Sequence, residues 1–195
     1  RWNGVAILSR IGEPVLTRRE LPKDPDPSQS RYIEAAVNGL LVGCLYAPNG
    51  NPAPGRKWDY KLAWLKQFTV HAKQLLALDV PVILAGDYNI IPTERDVYNP
   101  DRWQGDALFL PQVQKAYASL LKQGWCDAIA TIHPDEAVYT FWDYLRQAWE
   151  RNAGLRLDHL LLSPALAARL NDAGVDRDMR AQPKASDHAP AWVDL

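Results

Sequence analysis

The sequence predicts a single α/β domain built around a large sheet. Its 195 residues, 47% of them hydrophobic, are enough to bury a substantial core. Short β-type runs alternate with two long amphipathic stretches, and the apolar run at residues 81–85 reads as a strand buried on both faces. We therefore expect one domain over residues 1–195, with helices packed on the sheet.

The first half of the chain predicts antiparallel strands followed by a helix. β-type residues occupy the runs 5–9, 15–18, 31–37 and 40–46. Asn38-Gly39, between the last two runs, suits a two-residue hairpin turn. Residues 58–78 carry apolar side chains at helical spacing, and Lys61, Lys66 and Lys73 lie off that stripe. This helix is expected to pack on the sheet and to lead into the strand at 81–85.

The second half predicts one long helix and further strands. Residues 111–123 have helical spacing and stop at Gly124, a favourable helix C-terminus. The aromatic run 139–144 favours β-structure, residues 156–162 read as a buried strand, and residues 189–195 as the last one. Ser163-Pro164 is a typical helix start.

Polar side chains stand where four of these strands end or begin. They are Tyr46 with Asn49, Asp87 with Asn89, Asp158, and Asp187 with His188. Taken alone, Gly86-Asp87-Tyr88-Asn89 is also ordinary turn chemistry, because Asp and Asn side chains bond to nearby backbone groups. If the strands lie in one sheet or in two packed sheets, however, all four sets can converge on one site.

Such a converging set is what phosphodiester hydrolysis requires. Carboxylates hold an ion that neutralises the phosphate, a carboxylate or amide positions the attacking water, and a cationic or hydroxyl donor stabilises the transition state. Asp158 lies inside an apolar strand and needs a partner, because an unpaired buried carboxylate is costly. His188 makes sense as that partner, oriented by Asp158 and favoured in its protonated form.

Composition limits the class of partner. No apolar run approaches membrane-spanning length, so no membrane partner is expected. A net charge of −1 gives no global basic signature for nucleic acid, unless acidic residues in a metal site mask a basic rim. The rings of residues 139–144 are typical of a core, yet beside Arg146, Arg151 and Arg156 they also suit stacking against bases or sugars.

Several short motifs together resemble one nuclease family. They are residues 2–7 (Trp-Asn-Gly-Val-Ala-Ile), 46–50 (Tyr-Ala-Pro-Asn-Gly), 60–65, 86–89 (Gly-Asp-Tyr-Asn), 139–144, 152–162 and 186–188 (Ser-Asp-His). Each motif is weak alone, but their order and joint presence over essentially the whole chain are specific. The chain resembles exodeoxyribonuclease III, of the endonuclease/exonuclease/phosphatase superfamily.

The resemblance implies a fold and an activity. The fold is a four-layered, DNase I-like α/β sandwich of two mainly antiparallel sheets packed face to face, with helices outside. The activity is DNA repair dependent on Mg2+ or Mn2+, with incision of duplex DNA 5' to an abasic site and removal of nucleotides from 3' ends. The implied partner is duplex DNA with abasic sites or 3' ends, acted on by a monomer in a bacterial-type cytoplasm.

The resemblance also implies roles for the polar residues at the strand ends. Asp87 activates or positions water or handles the leaving oxygen, with Asn89 beside it. His188 contacts the scissile phosphate and is oriented by Asp158. Phosphate contacts are Tyr46 and Asn49, and the metal site comprises Asp187, an upstream glutamate, and possible contributions from Asp87, Asn89 and His188.

A pocket for the flipped-out abasic sugar is implied as well. It maps to Phe141, Leu155 and Leu157, and extrusion is needed because the lesion is otherwise out of reach in the duplex. Leu155 stands where some relatives have tryptophan, which changes the stacking face of that pocket. Asn99 and Trp142 are weaker candidates for contacts to DNA or the pocket.

One part of the family pattern does not precede Arg1 in this sequence. The family begins with an asparagine-bearing strand and continues to a metal-binding glutamate in a Gln-Glu motif. The resemblance therefore predicts an N-terminally incomplete domain with a raw sheet edge. The 195 residues alone are expected to fold poorly or to be nearly inactive unless an upstream piece completes the domain.

Two other functions stay open. A non-catalytic binder of DNA lesions would keep the fold, although it has little need of all of Asp87, Asn89, Asp158 and His188. A phosphatase or lipid phosphodiesterase of the same superfamily is the other alternative. The aromatic and arginine residues around 141–156 favour DNA over such substrates.

Overall fold

The computed structural model describes residues 4–195, so the motif at residues 2–7 lies partly outside the described residues. The strands are β1 (Val15–Arg18), β2 (Tyr32–Val37), β3 (Leu40–Tyr46), β4 (Val82–Asp87), β5 (Cys126–Asp127), β6 (Asp158–Leu162), β7 (Asp172–Val175) and β8 (Ala191–Asp194). The helices are α1 (Arg56–Leu76), α2 (Pro111–Gln123), α3 (Ala128–Ile132), α4 (Pro164–Ala167) and α5 (Arg177–Arg180). Short 3-10 turns cover Glu94–Asp96 and Pro100–Trp103.

Six strands form one mixed sheet, in the order β1-β2-β3-β4-β6-β5. The predicted hairpin pairs β2 with β3, and Asn38 and Gly39 have the positive φ angles, 49° and 79°, that its turn needs. β3 and β4 are parallel with α1 as the crossover, whereas β4 pairs antiparallel with β6. The ends of β3 and β4 therefore meet the start of β6 at one edge of the sheet.

Helices cover one face of this sheet and a second sheet covers the other. On the helical side, α1 and α2 pack on β4 through an aromatic core in which Trp64 and Phe68 stack with ring centroids 5.3 Å apart. On the opposite side, Ile83 and Leu160 pack against β7 and β8, which form an antiparallel pair. The predicted α/β architecture, with two packed and mainly antiparallel sheets and helices outside, is confirmed.

Most predicted elements are present with small shifts of their bounds. The runs 15–18, 40–46 and 111–123 coincide with β1, β3 and α2. The other long helix and the strands at 31–37, 81–85, 156–162 and 189–195 differ from α1, β2, β4, β6 and β8 at one or both ends, and Ser163-Pro164 begins α4. Within residues 4–195, no helix combines the length and apolar character needed to cross a membrane.

Two β-type runs do not form strands. Residues 5–9 pair with no strand in the described part of the chain, and Leu8 is 92% exposed. Residues 139–144 contribute only single bridges, from Phe141 to Leu155 and to His188. β-propensity produces a strand only where a neighbouring backbone accepts the hydrogen bonds. The short elements β5, α3, β7 and α5 were not predicted, because runs of two to five residues carry little periodicity.

Gly86 lies where β3 and β4 approach too closely for a side chain. Its φ is 146°, and a Cβ atom there would lie 1.9 Å from the carbonyl oxygen of Leu45. We expect Gly86→Ala to lower the free energy of unfolding by about 3 kcal/mol or more, because a clash with backbone cannot be relieved by a side-chain movement. Urea unfolding measures this change.

Gly105→Ala is the matched control for Gly86→Ala. Gly105 also has a positive φ, +85°, but a Cβ atom there would have no heavy atom within 4 Å. Its substitution should cost only the backbone preference, about 1 kcal/mol. Equal losses in the two variants would show that the close approach of Leu45 does not matter.

Candidate active site

Three strand ends place polar side chains next to one another. Tyr46 is the register partner of Asp87 in the parallel pair β3–β4, and Asp87 is the partner of Asp158 in the antiparallel pair β4–β6. Directly opposed residues in neighbouring strands have Cβ atoms about 5 Å apart and point to the same face. The predicted convergence of these three residues is therefore confirmed.

The backbone turns sharply after Asp87. Asn89 has a φ of 50°, and its backbone N–H donates to Oδ1 of Asp87 at 2.8 Å while its Nδ2 donates to Oδ2 at 3.1 Å. Nδ2 of Asn49 in turn donates to Oδ1 of Asn89 at 3.1 Å. The same hydrogen bonds therefore form the turn and build the site, because they hold the Asp87 and Asn89 side chains against each other.

Asp158 and His188 form the predicted pair. Nδ1 of His188 lies 2.7 Å from Oδ2 of Asp158. The hydroxyl of Thr140 fixes the start of β6, since it accepts the backbone N–H groups of Leu157 at 3.0 Å and Asp158 at 3.1 Å. Burial opposes a charge on His188, but the hydrogen bond and negative charge of Asp158 outweigh it and raise the pKa of His188 to about 9. His188 is therefore cationic at neutral pH, with Nε2 unpaired within residues 4–195.

Asp87 and Tyr46 have environments that favour their protonated forms. Burial and the negative charge of Asp158 raise the pKa of Asp87 to about 7, against the opposing effect of His188. Burial and the charge of Asp87 raise the pKa of Tyr46 above its ordinary value, so its hydroxyl stays a donor at neutral pH. The site thus combines a carboxyl group that titrates near neutrality, a cationic donor and a neutral donor.

A cleft of about 360 Å³ opens over these strand ends. Most of the predicted site residues line it: Tyr46, Asn49, Asp87, Asn89, Phe141, Leu155, Leu157, Asp187 and His188. Asp158 is not among the lining residues and acts through His188. The Phe141 ring contacts the His188 ring edge-on, with the ring centroids 5.1 Å apart. Leu155 and Leu157 are each only 3% exposed. The lining of the cleft therefore combines apolar and polar side chains.

Two predicted substrate contacts lie outside this cleft. Trp142 is 0% exposed and its Nε1 donates to Oδ1 of Asn152 at 3.1 Å, so the prediction that its side chain contacts DNA or the pocket is wrong. Its backbone N–H instead donates to the carbonyl oxygen of Asp187 at 2.8 Å, which supports the segment before His188. Asn99 is exposed at the start of the turn Pro100–Trp103 and does not line the cleft, and its DNA contact stays a prediction.

The predicted arginine cluster is divided by burial. Arg146 and Arg151 are exposed, whereas Arg156 is only 4% exposed. Nε of Arg156 donates to Asp96 and Nη1 donates to Asp127, each at 2.6 Å. The guanidinium is thus held inside the protein, so Arg156 does not belong to the arginine cluster that was expected to favour DNA.

Sequence reasoning missed further residues of the site. The cleft is also lined by Asn51, Trp103, Asp106, Leu108 and Asp143. Asn51 stands two residues after Asn49 in the same polar loop, which was a usable signal. The segment around Trp103 and Asp106 has little periodicity, so the sequence offers no comparable signal there. The expectation that Lys61 lies off the apolar stripe of its helix is wrong, because Lys61 is 0% exposed and lies on the buried face of α1 in helical register with Leu65 and Phe68.

The oxygen donors of the cleft suit a divalent cation in part. The carboxylates of Asp87 and Asp187 and the amide of Asn89 are the hard oxygen ligands that Mg2+ and Mn2+ take. The raised pKa of Asp87 also means that a positive charge beside it would be favourable. Within residues 4–195, however, no three His, Cys, Asp or Glu side chains are grouped so that they could hold an ion. The described residues therefore fit a partial ligand set.

Asp158→Asn tests how the charge of His188 is maintained. We expect the pKa of His188 to fall from about 9 towards its ordinary value of 6.5, because the carboxylate that stabilises the imidazolium is removed. The raised folded-state pKa means that the pair stabilises the fold below pH 6.5 and that this stabilisation is lost as pH rises through about 9. A histidine NMR titration in EDTA measures the pKa. An unchanged value in Asp158→Asn would show that another group holds the charge.

Comparison with known proteins assigns the chain to a family. The model of the Endonuclease/Exonuclease/phosphatase family matches residues 1–188. Exodeoxyribonuclease III of Haemophilus influenzae is 34% identical over an alignment 207 positions long, which covers 98% of this chain and 76% of that protein.

Solved structures agree with this relationship. The 3'-5' exonuclease NExo of Neisseria meningitidis has a TM-score of 0.90 and 35% identity, covering 93% of this chain and 71% of that one. An AP endonuclease from Archaeoglobus fulgidus has a TM-score of 0.87 and 33% identity, covering 94% of this chain and 72% of that one. The motifs, the fold and these relatives agree: the chain belongs to the exodeoxyribonuclease III group of the endonuclease/exonuclease/phosphatase family.

Proposed function

We propose that the protein is a DNA-repair phosphodiesterase that incises duplex DNA 5' to abasic sites and removes nucleotides from 3' ends. One observation carries the proposal: a cationic His188, held by Asp158, shares a cleft with the Asp87–Asn89 turn and the Tyr46 hydroxyl. A phosphodiester needs a donor for its charged oxygens and a group that positions water, and these residues supply both.

Each polar residue of the cleft has a part in the proposed reaction. Asp87 accepts a proton from the attacking water or positions that water, because its pKa near 7 lets it take up and release a proton at neutral pH. Asn89 holds the Asp87 carboxylate in place through two hydrogen bonds. Nε2 of His188 donates to a non-bridging oxygen of the phosphate, and Tyr46 and Asn49 provide further phosphate contacts.

The apolar side chains that line the cleft suit a sugar that has no base. Phe141, Leu155 and Leu157 present rings and methyl groups to the cleft, and a deoxyribose flipped out of the duplex can pack against them. A volume of about 360 Å³ is at the lower end of the range for small-molecule pockets. A sugar phosphate is therefore a better fit than a whole nucleotide, which favours abasic sites over undamaged DNA.

The family is generally dependent on divalent metals, and we propose Mg2+ or Mn2+ for this protein. Asp187, Asp87 and Asn89 would hold part of the ion's coordination sphere. When bound, the ion would neutralise phosphate charge.

The test uses the full-length protein, a duplex with one abasic site and a matched undamaged duplex, each with Mg2+ or with EDTA. We expect incision of the abasic duplex with Mg2+ and its loss in EDTA. Lesion binding without incision would indicate a non-catalytic binder. Release of phosphate from a lipid or small phosphoester, without cutting of either duplex, would indicate a different phosphodiesterase or phosphatase.

A further inference from the structure

Lys61 connects three separate loops from inside the protein. Its side chain is 0% exposed, although it lies on the amphipathic helix α1. Nζ donates to the backbone carbonyl oxygens of Asn49 at 3.0 Å, Asn89 at 2.6 Å and Ala107 at 3.0 Å. An ammonium group has three N–H donors, so all of them are used on carbonyls.

Each loop that Lys61 holds contributes residues to the cleft. The loop after β3 brings Asn49 and Asn51, and the turn after β4 brings Asn89. Asp106 and Leu108, on either side of Ala107, also line the cleft. The Lys61 ammonium thus bonds to loops that line the cleft, but it does not line the cleft itself.

Side-chain bonds between the loops complete the arrangement. Nδ2 of Asn51 donates to Oδ1 of Asp106 at 3.1 Å, and Oδ1 of Asn51 accepts the backbone N–H of Ala107 at 3.1 Å. The stem of Lys61 also determines the shape of the first loop, because a Cβ atom at Gly50 would lie 2.6 Å from Cδ of Lys61. The loops are therefore packed around this one side chain.

A role in core packing alone does not account for this residue. The side chain of Lys61 is 0% exposed, so the fold bears the cost of removing an ammonium from water. An apolar side chain of similar length would fill the same volume without that cost. It would, however, leave three buried carbonyl groups without their donor, and the loops would lose their common anchor.

We propose that Lys61 is a positioning residue, whose ammonium fixes the three cleft loops in the single arrangement that the phosphodiesterase reaction needs. It touches neither DNA nor the reacting atoms. The catalytic part of this inference rests on the proposed function, whereas the fixing of the loops does not.

Lys61→Met tests the proposal, with Lys66→Met as the matched control. Lys66 lies on the same helix but is exposed. In Lys61→Met we expect kcat for abasic-site incision to fall about 100-fold, because small misplacements of catalytic groups reduce the rate by about that factor. Hydrogen exchange should become about tenfold faster or more in residues 47–55, 88–92 and 104–109 together, since each loop loses a charged hydrogen bond. Exchange in β7 and β8 and both readouts in Lys66→Met should not change.

Several results would overturn the proposal. Unchanged kcat in Lys61→Met, or unchanged exchange in the three loops, would remove the positioning role. Faster exchange across the whole chain would assign Lys61 to general stability instead. A wild-type protein without nuclease activity would refute the proposed function, and the exchange data would still decide whether Lys61 fixes the loops.

Lys61→Arg is the second test of the proposal, to be used if Lys61→Met does not fold. Arginine keeps the charge, but its planar group cannot place three donors on one nitrogen atom. We expect it to fold and to have faster exchange in the same three loops with reduced kcat. Wild-type behaviour of this variant, or failure of both variants to fold, would overturn the proposal.

Discussion

His188→Ala should reduce incision of an abasic duplex by about a thousandfold, because it removes the cationic donor to the phosphate. The imidazolium is already in place before DNA binds, since Asp158 holds its Nδ1 at 2.7 Å and raises its pKa to about 9. Its charge therefore needs no proton uptake at neutral pH. DNA binding should be largely retained, because the proposed contacts of Asn49 and Leu157 do not involve this ring. Single-turnover incision and fluorescence anisotropy measure the two effects separately.

His133→Ala is the control for His188→Ala. His133 lies outside the cleft, where Nε2 bonds to the carbonyl oxygen of Ala173 at 2.9 Å. Its loss should leave incision unchanged. If His188→Ala lost binding and incision in equal measure, the ring would have a structural role rather than a part in the chemistry. Near-wild-type incision would exclude His188 from the reaction.

The strand ends of the site were predictable because apolar runs reveal buried strands and interruptions reveal their ends. Asp87 ends β4, and Asp158 starts β6. A carboxylate in an apolar strand needs a partner, which pointed to His188. These inferences use only local pattern and the cost of burying a charge.

The polar residues that were misjudged are fixed by partners far along the chain. Lys61 lies on the buried face of α1, in helical register with Leu65 and Phe68, and three carbonyls, 12, 28 and 46 residues away, converge on its ammonium. Arg156 is of a residue type that often contacts DNA, but it is held inside the protein by carboxylate partners that are 60 and 29 residues away along the chain. Helical or strand periodicity cannot reveal such long-range pairing, because it describes only one element at a time.

Arg156→Met should lower the free energy of unfolding by about 3–5 kcal/mol, the usual cost of breaking a buried ion pair. Arg156 bonds to both Asp96 and Asp127 at 2.6 Å, and all three side chains are less than a tenth exposed. Methionine fills similar volume but leaves two buried carboxylates without a cation. Urea unfolding at neutral pH measures the loss, and Arg169→Met, at an exposed position, should stay within about 0.5 kcal/mol of wild type.

The pH dependence of this loss follows from Asp127. Burial opposes its charge, but Arg156 overcomes that effect and keeps the pKa of Asp127 below its ordinary value of 3.8. A depressed folded-state pKa gives stability that is present above the unfolded-state value and is lost as pH falls through the folded one. The difference between wild type and Arg156→Met should therefore shrink in acid. Adding Asp127→Asn to Arg156→Met should recover part of the stability at neutral pH, because one uncompensated charge is removed. No recovery would mean that lost packing, rather than unpaired charge, accounts for the effect.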